Sequence, residues 1–347
     1  MSLLNTPPQV VAVLGAGSWG TVFAKIVADA GASRQTDVRV WARRPEVAAE
    51  INESHRNSQY LKDTVLPANL TASADPAQVL AGAELVVLAV PAQTLRVQLR
   101  SVRELIPEGA VVVSLMKGLE VGTDSRMSQV IEEELHWPED RVAVVSGPNL
   151  AMEIAGRQPT ASVVACSNLE TAGWIARACT APYFRPYTNT DVVGTEIGGI
   201  VKNVIALAVG ICEGKGMGDN TKASVMTRGL AETTRLALAL GGSAETMSGL
   251  AGMGDLIATC SSPLSRNHTA GRLLAQGLTL EEVNASMKQT AEGIKSAQAV
   301  LDRATQLGVY MPITENVVAV LQGVISVDEL GPRLLSRELK SEGVHTP

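Results

Sequence analysis

The chain has 347 residues, of which 46% are hydrophobic and 18% are charged, and its formal net charge at pH 7 is -6. This length is sufficient for two globular domains, and the negative charge without a long Lys/Arg run argues against a nucleic-acid partner. The longest apolar stretch, residues 198–211, is too short to span a bilayer, and the N-terminal residues lack the positive flank of a signal peptide. We therefore expect a cytoplasmic protein without a membrane partner.

The first predicted element is an apolar run at residues 10–14, which breaks directly into the sequence Gly-Ala-Gly-Ser-Trp-Gly at positions 15–20. A helical pattern follows over residues 21–30. In this strand-turn-helix setting, G-x-G-x-x-G is the fingerprint of a dinucleotide site. The first glycine makes the turn, the second lets the backbone approach a pyrophosphate, and the third lets the helix pack closely on the strand. The predicted cofactor loop thus contains Gly15, Gly17 and Gly20.

Six further apolar runs predict strands, and helical stretches separate most of them. Continuous Val/Leu/Ala runs without polar alternation are typical of strands covered on both faces, as in the parallel sheet of an α/β fold. We therefore predict an α/β, Rossmann-type N-terminal domain with a parallel sheet over residues 1–190. The predicted strands after the first are residues 37–42, 85–90, 110–115, 142–146, 161–166 and 183–188.

Beyond about Asp191 strand-like runs disappear and helical spacing dominates. We predict an all-α C-terminal domain over residues 191–340 and a frayed tail over residues 341–347. The boundary falls at a turn and helix N-cap near residues 188–194. The predicted helices are residues 194–211, 220–240, 264–276, 292–307 and 313–323.

The four cysteines and four histidines are widely spaced. The cysteines form no C-x-x-C pair, which predicts buried free thiols, and the histidines do not have metal-ligand spacing, so we expect no metal site. These residues are Cys166, Cys179, Cys212, Cys260, His55, His136, His268 and His345.

Two arginines follow the predicted strand at residues 37–42. In this type of fold, NAD binding uses a carboxylate about 20 residues past the glycine loop, on the ribose 2′-hydroxyl. Here that place holds Arg43 and Arg44, and a carboxylate follows only at Glu46. Because a guanidinium binds phosphate with a planar fork of donors, the sequence favours NADP (NADPH) over NAD. The alternatives are NAD as cofactor, or two solvated surface arginines.

Polar groups follow two predicted strands at the carboxyl edge, where open α/β sheets bind ligands. Lys117 lies just past the strand at residues 110–115 and can meet an anion there. The sequence Ser-Gly-Pro-Asn at residues 146–149 leaves the next strand at the same edge, and places a free amide at Asn149. Its alternative interpretation is a simple turn.

Lys202 lies in a predicted helix that is apolar around most of its circumference. A lysine is costly in a buried helix unless it is paired, and the neighbouring Gly198 and Gly199 indicate close approach by another segment. The amine is a candidate proton donor and acceptor, with Asn203 beside it. The alternative is a lysine whose ammonium group reaches solvent at the domain surface.

Asp255 follows three spaced glycines in the sequence Gly-Leu-Ala-Gly-Met-Gly-Asp. It is either a helix N-cap or a buried carboxylate that pairs with Lys202 and orients it. Downstream, Ser265, Arg266 and Asn267 provide a hydroxyl, a guanidinium and an amide, which are suitable donors for a phosphate group.

Seven segments together resemble the NAD(P)-dependent glycerol-3-phosphate dehydrogenases of bacteria, over residues from about 10 to 330. They are GAGSWGT, SLMKGLE, SGPNLA, EIGGIVKNVIALAVGI, GLAGMGDLIATC, SRN and AEGIKS. The resemblance implies a Rossmann domain and a helical domain, with the active site in the cleft between them. It also implies reduction of dihydroxyacetone phosphate by NAD(P)H to sn-glycerol 3-phosphate, the precursor of glycerophospholipids.

The resemblance also assigns site residues. It implies that Lys202 is the catalytic proton acceptor, or the donor in the reductive direction. The implied cofactor contacts are Ser18, Trp19, Arg43, Arg44, Ala151 and Glu292, together with Lys117 and Arg266. The implied substrate contacts are Lys117, Gly147, Asn149, Asp255, Ser265, Arg266 and Asn267, and we add Lys202 and Asn203. The chain departs from many relatives at Asn149, Leu150 and His268.

Two other functions remain open at this point. A hydroxyacid dehydrogenase or keto-acid reductase also pairs a Rossmann domain with a lysine-bearing helix, but does not require phosphate donors. A redox-sensing NAD-binding regulator would need a basic DNA-binding element, which the sequence lacks. The apolar helical domain favours a homodimer.

Overall fold

The computed structural model describes residues 6–287 and 291–335, so the predicted tail at residues 341–347 lies outside the described residues. An eight-stranded sheet forms the amino-terminal half, in the order β3-β2-β1-β4-β5-β6-β7-β8. Its strands are β1 (Val10–Leu14), β2 (Asp37–Trp41), β3 (Leu70–Ser73), β4 (Leu85–Leu88), β5 (Val111–Ser114), β6 (Val142–Ser146), β7 (Thr160–Ala165) and β8 (Phe184–Asn189).

The predicted α/β fold with a parallel sheet is confirmed, and one pair of strands departs from the parallel arrangement. Strands β1 to β6 pair in parallel, whereas β7 pairs antiparallel with β6 and β8 pairs parallel with β7. The helix between β6 and β7 has five residues and is therefore about 7.5 Å long, less than half the roughly 17 Å of a five-residue strand. Such a short connection does not return the chain to the amino edge, so β7 starts from the carboxyl edge.

Strand β3 was missed by the sequence analysis. Its sequence, Leu-Thr-Ala-Ser, has only two apolar residues, and these are the two that the structure buries. The strand lies at the edge of the sheet, where one covered face is enough. A rule based on continuous apolar runs does not detect such a strand.

Helices cover both faces of this sheet. They are α1 (Ser18–Gly31), α2 (Pro45–Ser54), α3 (Ser58–Leu61), α4 (Pro76–Leu80), α5 (Leu95–Val102), α6 (Met127–Leu135), α7 (Ala151–Ala155) and α8 (Leu169–Cys179). Alternate residues of β1 belong to two separate hydrophobic clusters: Val11 and Val13 pack with α1, α2 and α8, whereas Ala12 and Leu14 pack with α4, α5 and α6.

The carboxyl-terminal half is helical in its described residues, as predicted. The five predicted helices are confirmed with ends shifted by a few residues, and four short helices were missed. Its helices are α9 (Val192–Gly214), α10 (Asp219–Ala239), α11 (Ala244–Ser248), α12 (Asp255–Ser261), α13 (Arg266–Ala275), α14 (Leu280–Ser286), α15 (Glu292–Gln306), α16 (Pro312–Leu321) and α17 (Val327–Leu335).

Helix α9 forms the centre of this half. Asp191 caps it, because its Oδ1 accepts a hydrogen bond from the Gly194 amide at 2.7 Å, which confirms the predicted N-cap. Among the described residues it is the one helix long and apolar enough to cross a membrane, but 89% of its most apolar window is buried inside the protein. Helix α9 is therefore a core helix. All four cysteines are buried and free, as predicted.

Candidate active site

A cleft of about 1120 Å³ lies between the carboxyl edge of the sheet and the helical half. Its wall includes the glycine loop after β1, the residues after β2 and β5, the start of α7, and side chains of α9, α12, α13 and α15. This is the edge at which open α/β sheets bind ligands.

The glycine loop has the geometry that each predicted role requires. Gly15 has φ +125°, and a Cβ there would lie 2.4 Å from the Ala89 carbonyl oxygen. A Cβ at Gly20 would lie 2.1 Å from the Gly15 carbonyl oxygen, so the helix packs tightly on the turn. A Cβ at Gly17 would meet no described atom within 4 Å, which leaves the backbone open to the cleft. Helix α1 begins at Ser18 after a residue without a side chain, and its N-terminus is a candidate anion site.

Two lysines from different halves of the protein share one carboxylate. Lys117 Nζ lies 2.5 Å from Asp255 Oδ2, and Lys202 Nζ lies 2.7 Å from Asp255 Oδ1. Lys202 also donates to Thr259 Oγ1. Asp255 is 1% exposed and Lys202 is 8% exposed, so the pairing of these two side chains is confirmed, and the alternative of a solvent-reaching lysine is wrong. Asp255 is also not an N-cap, because Gly254 occupies that position and Asp255 begins α12.

The three charged groups carry one net positive charge when both lysines are protonated. The pKa of Lys117 is lowered to about 8, because burial, together with the Coulomb effect of Lys202, outweighs the opposing effect of Asp255. The Lys117 ammonium also donates to the Gly147 carbonyl oxygen at 3.1 Å. The cluster therefore suits a substrate that brings negative charge.

The glycines beside Lys202 permit the close approaches that the sequence indicated. A Cβ at Gly198 would lie 2.5 Å from the Ala251 carbonyl oxygen, and a Cβ at Gly199 would lie 2.6 Å from Ser146 Oγ and 3.4 Å from Lys117 Cδ. Ala251 belongs to a π-helical turn, Leu250–Gly254, that leads into α12. The two glycines thus bring Asp255 and the Lys117 stem against α9.

The predicted phosphate donors lie at the N-terminus of α13. Ser265 caps this helix, because its Oγ accepts from the His268 amide at 3.3 Å. The Asn267 side chain joins two neighbouring helices: its Nδ2 donates to Asn203 Oδ1 and its Oδ1 accepts from the Gly293 amide, both at 2.9 Å. Ser265, Arg266 and Asn267 all line the cleft, so the helical half contributes hydrogen-bond donors to its wall.

Arg266 and Glu292 affect each other electrostatically. Burial raises the pKa of Glu292, and the Arg266 cation opposes that rise. Glu292 begins α15 and lines the cleft with Lys295. The side chains of these residues bring both signs of charge to this wall.

Family models and known proteins match the chain over most of its length. Residues 10–172 match the model described as NAD-dependent glycerol-3-phosphate dehydrogenase N-terminus, and residues 191–331 match the model of its C-terminus. The chain belongs to the NAD-dependent glycerol-3-phosphate dehydrogenase family. It is an oxidoreductase that depends on NAD(P), and the resemblance stated from its motifs is confirmed.

Individual relatives agree with this family. The chain is 56% identical to a glycerol-3-phosphate dehydrogenase [NAD(P)+] of Thermobifida fusca over 332 residues, which are 96% of this chain and 98% of the relative. It is 56% identical to the enzyme of that name from Corynebacterium jeikeium, over 96% of this chain and 99% of the relative. The crystal structure of glycerol-3-phosphate dehydrogenase from Coxiella burnetii matches with a TM-score of 0.88 at 33% identity, covering 95% of this chain and 99% of that one.

Most residues that the sequence analysis selected for the dehydrogenase line the cleft, and two lie behind its wall. Gly147 contacts Lys117, and Asp255 contacts both Lys117 and Lys202, so both residues lie directly behind groups of the wall, and their contact with substrate stays a prediction. Asn149 donates to Ser162 Oγ at 3.0 Å. The predicted residues on the wall are Gly15, Gly17, Ser18, Trp19, Gly20, Arg43, Arg44, Lys117, Asn149, Ala151, Lys202, Asn203, Ser265, Arg266, Asn267 and Glu292.

Among the cleft residues that the sequence analysis did not select are Thr259, Tyr60 and Lys295. Thr259 lies one helical turn after Asp255 on α12, and this i, i+4 spacing was the available signal. Tyr60 lies in the four-residue helix α3, and Lys295 lies one turn after Glu292. Tyr60 has no motif that distinguishes it from a surface residue, whereas Lys295 lies in the AEGIKS segment, in which the sequence analysis selected only Glu292.

Proposed function

We propose that the chain reduces dihydroxyacetone phosphate to sn-glycerol 3-phosphate, reversibly, and so supplies the backbone of glycerophospholipids. The observation that carries this proposal is the buried Lys202 ammonium on the cleft wall, held by Asp255 and Thr259. Family membership supports the same reaction.

Lys202 protonates the substrate in the reductive direction. A bound reduced nicotinamide would supply the hydride for C2, so the carbonyl oxygen would become negatively charged. The Lys202 ammonium stabilises that charge and can also release a proton to the oxygen. Its attraction to the oxygen is stronger in the transition state than in the ground state, so it lowers the barrier. The Asp255 carboxylate and the Thr259 hydroxyl leave the ammonium in one orientation toward the cleft, and in the oxidative direction the neutral amine accepts the proton.

The phosphate group of the substrate binds at the N-terminus of α13. Arg266, the capped helix end at Ser265 and the Lys117 ammonium together provide positive charge and N–H donors. Asn267 and Asn203 support this wall through their shared hydrogen bond. Binding at the phosphate aligns C2 with Lys202 and the cofactor, so energy from a non-reacting group lowers the barrier.

The glycine loop and the N-terminus of α1 fit a dinucleotide pyrophosphate, because Gly17 leaves room for it. We propose that NADPH is the preferred cofactor and that NADH is the weaker alternative. Arg43 and Arg44 are exposed on the cleft wall after β2, where the 2′-phosphate of NADPH would lie. Ser18, Trp19, Ala151 and Glu292 complete the proposed cofactor contacts, and no metal takes part.

An assay that follows oxidation of NADPH and NADH tests substrate and cofactor together. We expect turnover with dihydroxyacetone phosphate and none with an unphosphorylated 2-keto acid, which is the comparison with keto-acid reductases. Lys202→Ala should lose activity by roughly a thousandfold while it still binds NADPH. A folded Lys202→Ala protein with near-normal turnover would refute the assignment.

The remaining expectations concern the setting of the enzyme. We propose a cytoplasmic homodimer that binds neither membrane nor nucleic acid, on the support of the net charge of -6 and the apolar helical half. Light scattering at several protein concentrations tests the dimer, and a monomer at all of them would contradict it.

A further inference from the structure

Residues 57–60, at the start of α3, contact two separate parts of the proposed cofactor site, although no dinucleotide motif includes them. Asn57 is fully buried, and its Nδ2 donates to the Ala16 carbonyl oxygen and to Thr21 Oγ1, both at 2.9 Å. Ala16 lies inside the glycine loop and Thr21 lies in the first turn of α1. One amide therefore joins the loop to the helix that follows it.

Two residues further on, the same segment contacts the arginine side of the cleft. Gln59 Oε1 accepts a hydrogen bond from Arg44 Nη2. Tyr60, the next residue, lines the cleft together with Arg43 and Arg44. The 57–60 segment thus reaches the pyrophosphate loop with one side chain and the 2′-phosphate arginine with another.

We propose that the 57–60 segment positions the cofactor site, with Asn57 holding the glycine loop for any nicotinamide dinucleotide and Gln59 holding Arg44 for the 2′-phosphate of NADPH. This inference rests on the proposed cofactor site. Asn57 and Gln59 are positioning residues, because they act through Ala16 and Arg44.

The physical reason lies in the composition of the loop. Glycine has more conformations to lose than any other residue, so a loop with Gly15 and Gly17 pays an ordering cost when it binds a ligand. Hydrogen bonds from Asn57 remove part of that freedom before binding, and preorganisation of this kind increases affinity. An exposed arginine likewise loses less rotamer freedom on binding phosphate when Gln59 already restrains its guanidinium.

The test compares Asn57→Ala with a matched control, Asn69→Ala. The Asn69 Nδ2 also makes two hydrogen bonds, to the Ala28 and Thr36 carbonyl oxygens at 3.1 and 2.9 Å. It precedes β3, at the amino edge of the sheet and away from the cleft. Calorimetric titration with NADPH and with NADH should show about a tenfold rise in Kd for both nucleotides in Asn57→Ala, and at most about a twofold change in Asn69→Ala.

The second variant, Gln59→Ala, separates the two roles. Gln59 is exposed, so its loss should leave folding intact. We expect Kd for NADPH to rise about threefold to tenfold and Kd for NADH to change at most about twofold. In steady-state kinetics, KM for NADPH should rise in both variants, with kcat much less affected.

Several results would overturn the inference. One is an equal rise in Kd in Asn57→Ala and Asn69→Ala. Another is a ratio of Kd for NADPH to Kd for NADH that is the same in Gln59→Ala as in the unmodified protein. If Asn57→Ala does not fold, Thr21→Val replaces it as the test, because valine has nearly the shape of threonine but lacks the hydroxyl that accepts from the Asn57 amide. Thr21→Val should raise Kd for both nucleotides about threefold, and unchanged Kd values would also overturn the inference. If the unmodified protein binds neither nucleotide, the proposed function itself fails, which is a distinct outcome.

Discussion

The shared carboxylate makes Asp255→Asn the most informative single substitution. The change keeps the shape of the side chain but removes the negative charge that lies 2.5 Å from Lys117 Nζ and 2.7 Å from Lys202 Nζ. Because Asp255 is 1% exposed, water does not replace the lost charge. Two buried ammonium groups then face each other without a counterion.

The magnitude follows from how each lysine responds. Removing one partner of a buried ion pair lowers the free energy of unfolding by about 3–5 kcal/mol. With its pKa at about 8, Lys117 can lose its proton at pH 7 for about 1.4 kcal/mol, and less once Asp255 is neutral. We therefore expect the lower end of that range, about 3 kcal/mol. Lys202 keeps its hydrogen bond to Thr259 but loses its ion pair with residue 255, so its ammonium is less well positioned. A misplaced proton donor should lower kcat about a hundredfold.

Initial rates of NADPH oxidation with dihydroxyacetone phosphate measure the effect on kcat, and thermal unfolding measures the effect on stability. The matched control is Asp191→Asn, which changes a carboxylate that caps the same helix α9 without touching a lysine. Asparagine still caps the Gly194 amide, but its Nδ2 cannot accept the second hydrogen bond, from the Ser243 amide to Asp191 Oδ2 at 2.8 Å. This control should therefore lose about 1 kcal/mol of stability and keep its kcat within about twofold. If Asp255→Asn retains a kcat within about threefold of the unmodified enzyme, the proposed orientation of Lys202 by Asp255 is wrong.

Three further predictions use the same rate assay. The Lys117 side chain is an ammonium below its pKa of about 8 and is neutral above it, so kcat/KM for dihydroxyacetone phosphate should fall as pH rises through 8. In Lys117→Arg the side chain stays charged, so kcat/KM should no longer fall in this pH range; a decline that persists would contradict the prediction. Gly198→Ala would place a Cβ 2.5 Å from the Ala251 carbonyl oxygen and should lower kcat about tenfold. Gly214→Ala would place a Cβ 2.5 Å from Ala275 Cβ at the far end of α9, and should lower the melting temperature only. Equal losses of kcat in the two variants would argue against a local effect at Lys202. Arg44→Ala should raise KM for NADPH about tenfold to a hundredfold and leave KM for NADH nearly constant, and an equal rise for both cofactors would exclude a 2′-phosphate contact.

Local patterns in the sequence predicted much of the fold. The glycine spacing at residues 15–20 requires a turn, an open approach and a close packing, and the structure has all three. The helix around Lys202 was predicted from its apolar circumference, and its glycines indicated a close neighbour before that neighbour was known. These inferences succeeded because each depends on residues within one or two turns of one another.

Most long-range pairing was beyond the sequence, which offered the pair of Lys202 and Asp255 only as one of two interpretations of Asp255. Lys117 and Asp255 are 138 residues apart, and the choice of one carboxylate as partner for both lysines depends on how α12 docks on α9. Asn57 and Gln59 carry no motif at all, and their partners lie in other elements. The antiparallel β6 and β7 pair depends on the length of a connection rather than on the residues of the strands.

Local patterns of residues specify most of the elements and the polar groups that they carry, because hydrophobic period, glycine conformation and helix capping are local properties. Which of those groups meet depends on how the elements pack. Ion pairs and hydrogen bonds depend on distances of about 3 Å between distant parts of the chain, and packing of the two halves sets those distances. For this protein, the proposed chemistry was readable in the residues, whereas the contacts that hold the Lys202 ammonium against Asp255 and Thr259 were readable only in the folded chain.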